Sequence, residues 1–320
     1  MTLDLRELSS EAYAREILPL TYDLWGRGRT FDSYVSRTRE LALTAYGKRS
    51  FKTIALSDSG RSVLATFKRY ERTGHVRGSE FAAVGIGAVF TPPELRGRGY
   101  ASAMLGLALD NERAAGADVA VLFSDIHPQF YRNLGFVELP SRTISLRVDT
   151  LSWQRLDVEV PDAHSWSGIR ACFDAAAAHA EHGLNRTATF WNWLRTVLAG
   201  QEPKGQRVDL IVRRSRRVAA YVLGRREPRA DAYVLDELGF IDDGARAYIP
   251  ALLRYAAGDL RRVAGWLPPL PARSVLPRGA VRARRDGILM AAALSKIGQT
   301  YIDSARGGSS GDPVWSTDHI

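Results

Sequence analysis

One cysteine, Cys172, stands in 320 residues. An internal disulfide is therefore excluded, and a cytoplasmic protein is expected. Cys172 lies in an apolar, helix-forming stretch, where packing is the expected role rather than nucleophilic chemistry. No apolar run approaches the ~18 residues of a membrane span. The opening residues, Met1 to Glu7, lack the basic-then-apolar order of an export signal. Lysine is scarce: Lys48, Lys52, Lys68, Lys204 and Lys296 are the whole set among 44 basic residues. The formal charge of +9 is carried by arginines scattered along the chain. Their densest cluster, Arg213, Arg214, Arg216 and Arg217, surrounds a predicted hairpin turn, where a solvated tip is expected. No nucleic-acid partner is expected; a positive field steers a small polyanion equally well. His179 and His182, three apart on a predicted helix, have no third ligand in the pattern, so no metal site is expected. A homo-oligomer remains open.

What the chain does have is a strand, a corner and a glycine-rich turn in the order Phe81 to Ala115. Phe81 to Phe90 is an apolar strand, and Pro92 and Pro93 stop it because proline cannot donate to a ladder. Arg96, Gly97, Arg98, Gly99, Tyr100 and Ala101 then lead into a stretch of helix formers. A glycine turn entering a helix presents unpaired backbone N–H groups at the positive end of the dipole, a site for a diphosphate. The turn has no Gly-Lys-Ser/Thr of a Walker A loop and no third glycine of a dinucleotide fingerprint.

The spacing Arg96-x-x-Gly99-x-Ala101, with Pro93 before it, resembles the acetyl-CoA-binding motif of the GCN5-related N-acetyltransferases. Downstream, a buried strand over 118–124 and the run Phe130-Tyr131-Arg132-Asn133-Leu134-Gly135-Phe136 resemble the second cofactor motif of that family. Around these motifs the pattern predicts helices at Ser10–Leu18 and Phe31–Tyr46, a hairpin over 51–69, helices over 101–115 and 128–134, and a strand near Arg142–Val148. The resemblance covers residues 1–149.

The second half repeats this order. Helices are predicted over 165–181 and 188–198, a hairpin over 207–225, a strand over 232–240, a helix over 245–261 and further strand over 281–294. The pattern is that of a second, degenerate copy. Asp242 and Asp243 stand where a diphosphate loop would be, so no CoA binding is expected there. The expected fold class is α/β (α+β), with two tandem acetyltransferase-like domains, 1–149 and 150–300, each a mixed sheet flanked by helices, and a tail over 301–320. Two domains with one live site resemble the enhanced intracellular survival family, although a complete sterol-carrier-like domain would not fit.

The resemblance implies a cytoplasmic acetyl-CoA-dependent N-acetyltransferase that moves an acetyl group to a primary amine of a small molecule or peptide by direct attack. The alternatives are another acyl or aminoacyl transferase on this scaffold, or a non-enzymatic acyl-CoA sensor. Ala88, Val89 and Phe90 are the expected backbone contacts to the pantetheine arm. Gly85 and Gly87 mark either a bulge there or close helix packing. Tyr131 is the expected general acid for the departing thiolate, or else a packing residue; a phenol near ~10 is protonated where a thiol near ~8.5 ionises. The expected bases are Asp125, His127 and the carboxylate of Ile320. Trp315 would anchor that tail if it is not frayed. Asp236, Glu237, Asp242 and Asp243 are candidates for an acidic acceptor pocket. Trp191 and Trp193 cannot share one helix face, so one of them is expected at the surface or at the domain interface.

Overall fold

The computed structural model describes residues 2–26, 28–60, 62–126, 128–200, 205–307 and 311–319. The first half runs β1 (Asp4–Leu8), α1 (Ser10–Glu16), α2 (Leu18–Trp25), α3 (Phe31–Leu43), α4 (Ala45–Ser50), β2 (Phe51–Ser57), β3 (Val63–Val76), β4 (Ser79–Phe90), α5 (Tyr100–Ala114), β5 (Val119–Ser124), α6 (Gln129–Arg132), β6 (Val137–Glu138) and β7 (Arg142–Arg147). The second runs β8 (Val158–Glu159), α7 (Ser165–Ala177), β9 (His182–Asn185), α8 (Ala188–Ala199), β10 (Gln206–Arg207), β11 (Leu210–Arg214), β12 (Arg217–Glu227), β13 (Ala232–Phe240), α9 (Asp243–Arg246), α10 (Ile249–Ala257), β14 (Arg262–Trp266), β15 (Ala280–Ala283), β16 (Ile288–Ala293) and α11 (Lys296–Gly307). No helix among the described residues is long and apolar enough to cross a membrane.

Several boundaries follow from local chemistry that periodicity does not carry. The helix expected to run from Phe31 to Tyr46 stops at Leu43. Thr44 turns extended, and its hydroxyl accepts the Gly47 amide at 2.9 Å to start α4. Gly47 therefore lies inside a helix rather than ending one. A Cβ there would stand 2.1 Å from the Leu41 carbonyl oxygen. The helix expected over 245–261 is broken before Pro250, which sits at the start of α10, where a missing N–H costs no bond. His182 opens a strand, so the paired-histidine helix does not form.

Two eight-stranded mixed sheets result, ordered β1-β2-β3-β4-β5-β16-β6 with β9 on β3, and β15-β7-β14-β13-β12-β11-β8 with β10 on β12. In each, one central pair is parallel, β4 with β5 and β13 with β14; the other pairs are antiparallel. The halves exchange strands. β7 pairs with β14 and β15, while β16 fills the place between β5 and β6. Val281–Leu294, which reads as one strand region, therefore serves both sheets.

Helix α8 ties the halves together. Trp193 packs on Tyr46, Phe51 and Tyr70 of the first half, and Trp191 on Trp166 and Phe173 of the second. Both indoles are buried, because the helix is covered on opposite faces. Cys172 is buried too. Burial pushes its thiol up to about 12, as suits a packing residue.

Candidate active site

The site is built where β4 breaks register. Lys68 of β3 lies opposite Gly87, but Thr66 lies opposite Phe90, so three steps on β4 face two on β3. Ala88 is the extra residue, and its φ of 45° is left-handed, a conformation that costs an alanine about 1 kcal/mol. Gly87 precedes this bulge. On its other side β4 pairs with β5 only from Ala83–Val119 to Ile86–Leu122, although both strands run further, to Phe90 and Ser124. The edge from Gly87 to Phe90 therefore opens into a wedge between diverging strands.

The glycine turn closes one end of this wedge. Gly97 and Gly99 have φ of 75° and 79°, and an added Cβ would find no atom within 4 Å at either. The glycines are thus required by backbone conformation and leave a concave, open surface. Gly99 caps α5 without a side-chain bond, and the first helical bond runs from the Ala103 amide to the Gly99 carbonyl at 2.9 Å. Among the described residues nothing accepts from the amides of Tyr100, Ala101 or Ser102. Three N–H groups at the positive end of a 15-residue helix fit a diphosphate.

A cleft of about 990 Å³ joins these parts. Ala88, Val89, Phe90, Arg96, Gly97, Gly99, Tyr100, Ala101, Asp125 and Tyr131 line it; the side chain of Arg98 is exposed and does not. His127 and Ile320 lie outside the described residues. Asp125 is exposed, and its carboxylate accepts the Gly287 amide at 2.9 Å. Tyr131 is buried, and burial, with Asp125 adding to it, pushes its phenol up to about 12.

This value changes what Tyr131 can do. A proton moving from even a free phenol to a thiolate goes uphill, by about 2 kcal/mol, and from a phenol near 12 by roughly 5 kcal/mol. The group stays protonated, so it suits hydrogen bonding to a developing thiolate better than full proton transfer.

Other cleft residues carry no sequence motif. Trp25, whose ring meets Phe90 at 6.1 Å, and Arg29, Tyr34 and Arg37 come from α2, α3 and their loop. Val197 and Gly200 come from the end of α8, and Ser316 and His319 from the tail. The His319 ring stands against Phe123 at 4.9 Å and Trp266 at 5.5 Å. The signal that pointed here was Trp315, which is buried in the second core.

The tail from Asp312 to His319 is held rather than frayed. Asp318 pairs with Arg72 at 2.9 Å and Arg186 at 3.1 Å, and Arg186 pairs with Glu237 at 2.7 Å. Thr317 joins Arg186 and Glu237, and Tyr221 donates to Glu237 at 2.6 Å. Burial pushes the Asp318 carboxyl up, but Arg186 and Arg72 more than offset this and hold it below the ordinary value.

The second sheet repeats the bulge and the divergence, then fills them from within. Leu223 faces Glu237 and Gly224 faces Leu235, leaving Asp236 as the extra residue. The Ser316 hydroxyl donates to the Asp236 carbonyl at 2.9 Å. Asp242 caps α9, accepting the Ala245 amide at 2.8 Å, and also takes Arg214. A carboxylate thus occupies the position of a diphosphate. The expected acidic acceptor pocket does not form. Asp236 is held by Arg207 and Arg225, Glu237 by Arg186, and none of the four acids lines the cleft.

Residues 18–138 match the family model described as an acetyltransferase (GNAT) domain. No curated protein sequence matches the chain. Among solved structures, a probable N-acyltransferase from Enterococcus faecalis V583 superposes with a TM-score of 0.72 at 16% identity, covering 95% of this chain and 74% of that one. Eis1 from Mycobacterium abscessus superposes with 0.62 at 16% identity, covering 92% and 74%. A tandem GNAT protein from the clavulanic acid biosynthesis pathway superposes with 0.51 at 10% identity, covering 92% and 99%. At these identities the likeness is one of fold.

Proposed function

We propose that this chain, which takes the tandem GNAT fold with an acetyltransferase domain over residues 18–138, is an acetyl-CoA-dependent N-acetyltransferase whose live site is the cleft of its first sheet. One observation carries the reading: the bulge at Ala88, the wedge between β4 and β5, and the free amides of Tyr100 to Ser102 lie on a single cleft.

The α5 amides hold the diphosphate, and the edge of β4 at Val89 and Phe90 takes the pantetheine amides as a further strand would. A backbone N–H freed at the bulge polarises the thioester carbonyl. The amine nitrogen forms a bond to the acetyl carbon, the carbon–sulfur bond breaks, and the amine's extra proton ends on the released thiol or solvent. Tyr131 stabilises the sulfur as charge develops. Asp125, His127 and the Ile320 carboxylate are the proposed bases. The acceptor enters between the two halves, a primary amine on a small molecule or peptide.

Ala101→Glu tests the reading. It places a carboxylate on the amides that would meet the diphosphate. The thermal shift given by CoA should vanish while the unliganded melting point moves little. An unchanged shift would place CoA elsewhere. Acetyl-CoA against myristoyl-CoA, with amine-dependent thiol release as readout, distinguishes acetyl from long-acyl transfer. Binding of acetyl-CoA without release to any amine would favour a sensor.

A further inference from the structure

A second cavity, of about 370 Å³, opens between α1, α4 and the β2–β3 ladder. Lys68 of β3 lines it, opposite Thr53 of β2. Its terminal nitrogen stands 3.4 Å from the Tyr13 ring centroid and 5.1 Å from that of Phe51, and it donates to the Thr53 hydroxyl. Tyr13, Phe51 and Thr53 line the same cavity, so the nitrogen sits at its wall. Lys68 is buried, and among the described residues no carboxylate pairs with it. The acids facing this cavity are Glu7 and Glu11, both exposed, and Glu7 is taken by Lys52 at 3.1 Å. The cations there are Arg39, Lys48 and Lys52. Burial alone acts on Lys68 and lowers its pKa from 10.5 to about 7. At pH 7.5 an ordinary lysine is neutral in about one part in a thousand, whereas Lys68 is mostly neutral. A neutral amine is a nucleophile and an ammonium is not.

We infer that Lys68 is a modification site, at which the activated acetyl group of a thioester or an acyl phosphate is captured as an amide. The nitrogen lone pair bonds to the acetyl carbon, and the bond from that carbon to sulfur or to the phosphate oxygen breaks. The proton released from nitrogen goes to the leaving group or to solvent. The product suits the cavity. An acetamide is uncharged, so the cost of burying a cation disappears. Its N–H keeps a donor for the Thr53 hydroxyl, and its methyl suits the Tyr13 and Phe51 rings. A carbamate formed with carbon dioxide would set an anion against the negative face of Tyr13 and does not fit. Neither Tyr131 nor the diphosphate loop lines this cavity, so the capture does not depend on the N-acetyltransferase reading.

The test incubates the whole chain at pH 7.5 with acetyl phosphate or with acetyl-CoA and ranks the acetylated lysines by peptide mass mapping at partial labelling. Lys68 should lead Lys48, an exposed lysine on the same cavity, by at least about fivefold, although exposure alone ranks them the other way. Between pH 8 and 9 the labelling of Lys68 should change less than about twofold, whereas an ordinary lysine amine gains about tenfold. The two donors distinguish the sources: the one that labels Lys68 faster is the one the cavity admits. Labelling by acetyl-CoA should survive Ala101→Glu. Its loss in that variant would mean that the cleft delivers the acetyl group, and direct capture would be overturned. Lys68 left bare while Lys48 and Lys52 are labelled, or labelled only in urea, would overturn the inference and leave the N-acetyltransferase reading standing.

Discussion

Lys68 offers a stability measurement with a definite sign. It is buried on β3, its ammonium 3.4 Å from the Tyr13 ring centroid and 5.1 Å from that of Phe51, and it donates to the Thr53 hydroxyl. No carboxylate among the described residues forms an ion pair with it. Burial lowers its pKa from 10.5 to about 7. The folded chain therefore releases this proton near neutrality, whereas the unfolded chain keeps it up to the ordinary lysine value. Between these limits the unfolded state binds more protons, so stability rises with pH, by about 1.4 kcal/mol per pH unit from this group alone. The whole difference is worth about 5 kcal/mol, present as a cost below pH 7 and gone above 10.5. The Tyr13 face opposes the shift, since a desolvated cation over a ring gains ~2 kcal/mol. Between pH 7.5 and 9.5 the wild type should thus gain about 1–3 kcal/mol relative to Lys68→Met. Urea denaturation at several pH values in this range measures it. The two proteins share every other titrating group, so the difference isolates Lys68. Parallel curves would refute the reasoning, and so would a Lys68→Met protein several kcal/mol less stable at pH 7, which would show the ammonium stabilised rather than strained.

Three further outcomes follow from the geometry. Tyr131→Phe should lower kcat by roughly 10²-fold with little change in the KM for acetyl-CoA, and the wild-type rate should show no loss from phenol ionisation below pH 10, because burial pushes that group up to about 12. Steady-state thiol release over pH 6–10 checks both. Asp318→Ala leaves Arg72 and Arg186 facing each other without their shared anion, a loss of about 3–5 kcal/mol and a fall in Tm of roughly 6 °C or more. With a carboxyl held below its ordinary value, this contribution is present above the unfolded pKa and is lost only as pH falls through the folded one, so acid unfolding of the wild type should be steeper than that of the variant. Residues 1–149 produced alone would lack β16 and leave the β5 edge bare; they should aggregate, and co-expression with 150–320 should restore soluble protein.

Much of the site was legible because its chemistry is local. A glycine turn between a strand and a helix needs positive φ at Gly97 and Gly99 and free amides beyond them, and consecutive residues specify that. The short helix carrying Tyr131, which ends at Arg132 and is followed by a turn with Gly135 at a φ of 86°, is equally local. The helices that failed, at Thr44 and before Pro250, did so through a side-chain cap and a proline within otherwise continuous apolar periods. The strand Asp4–Leu8 was missed because its charged residues mask the alternation; it forms through its pairing with β2.

The sequence by itself determined the class of the fold, the turn that can hold a diphosphate, and the acidic residues that close the matching position in the second half. Those are matters of backbone conformation and of charge within a few residues. Tertiary structure alone decided that β7 and β16 change places, that α8 buries both tryptophans, and that the tail is locked by a ring of buried charges beside the cleft. It also decided that Arg29, Arg37 and Asp125, from distant parts of the chain, line one cleft. Each of these depends on residues tens or hundreds of positions apart meeting in space, and only closure of the chain can bring them together.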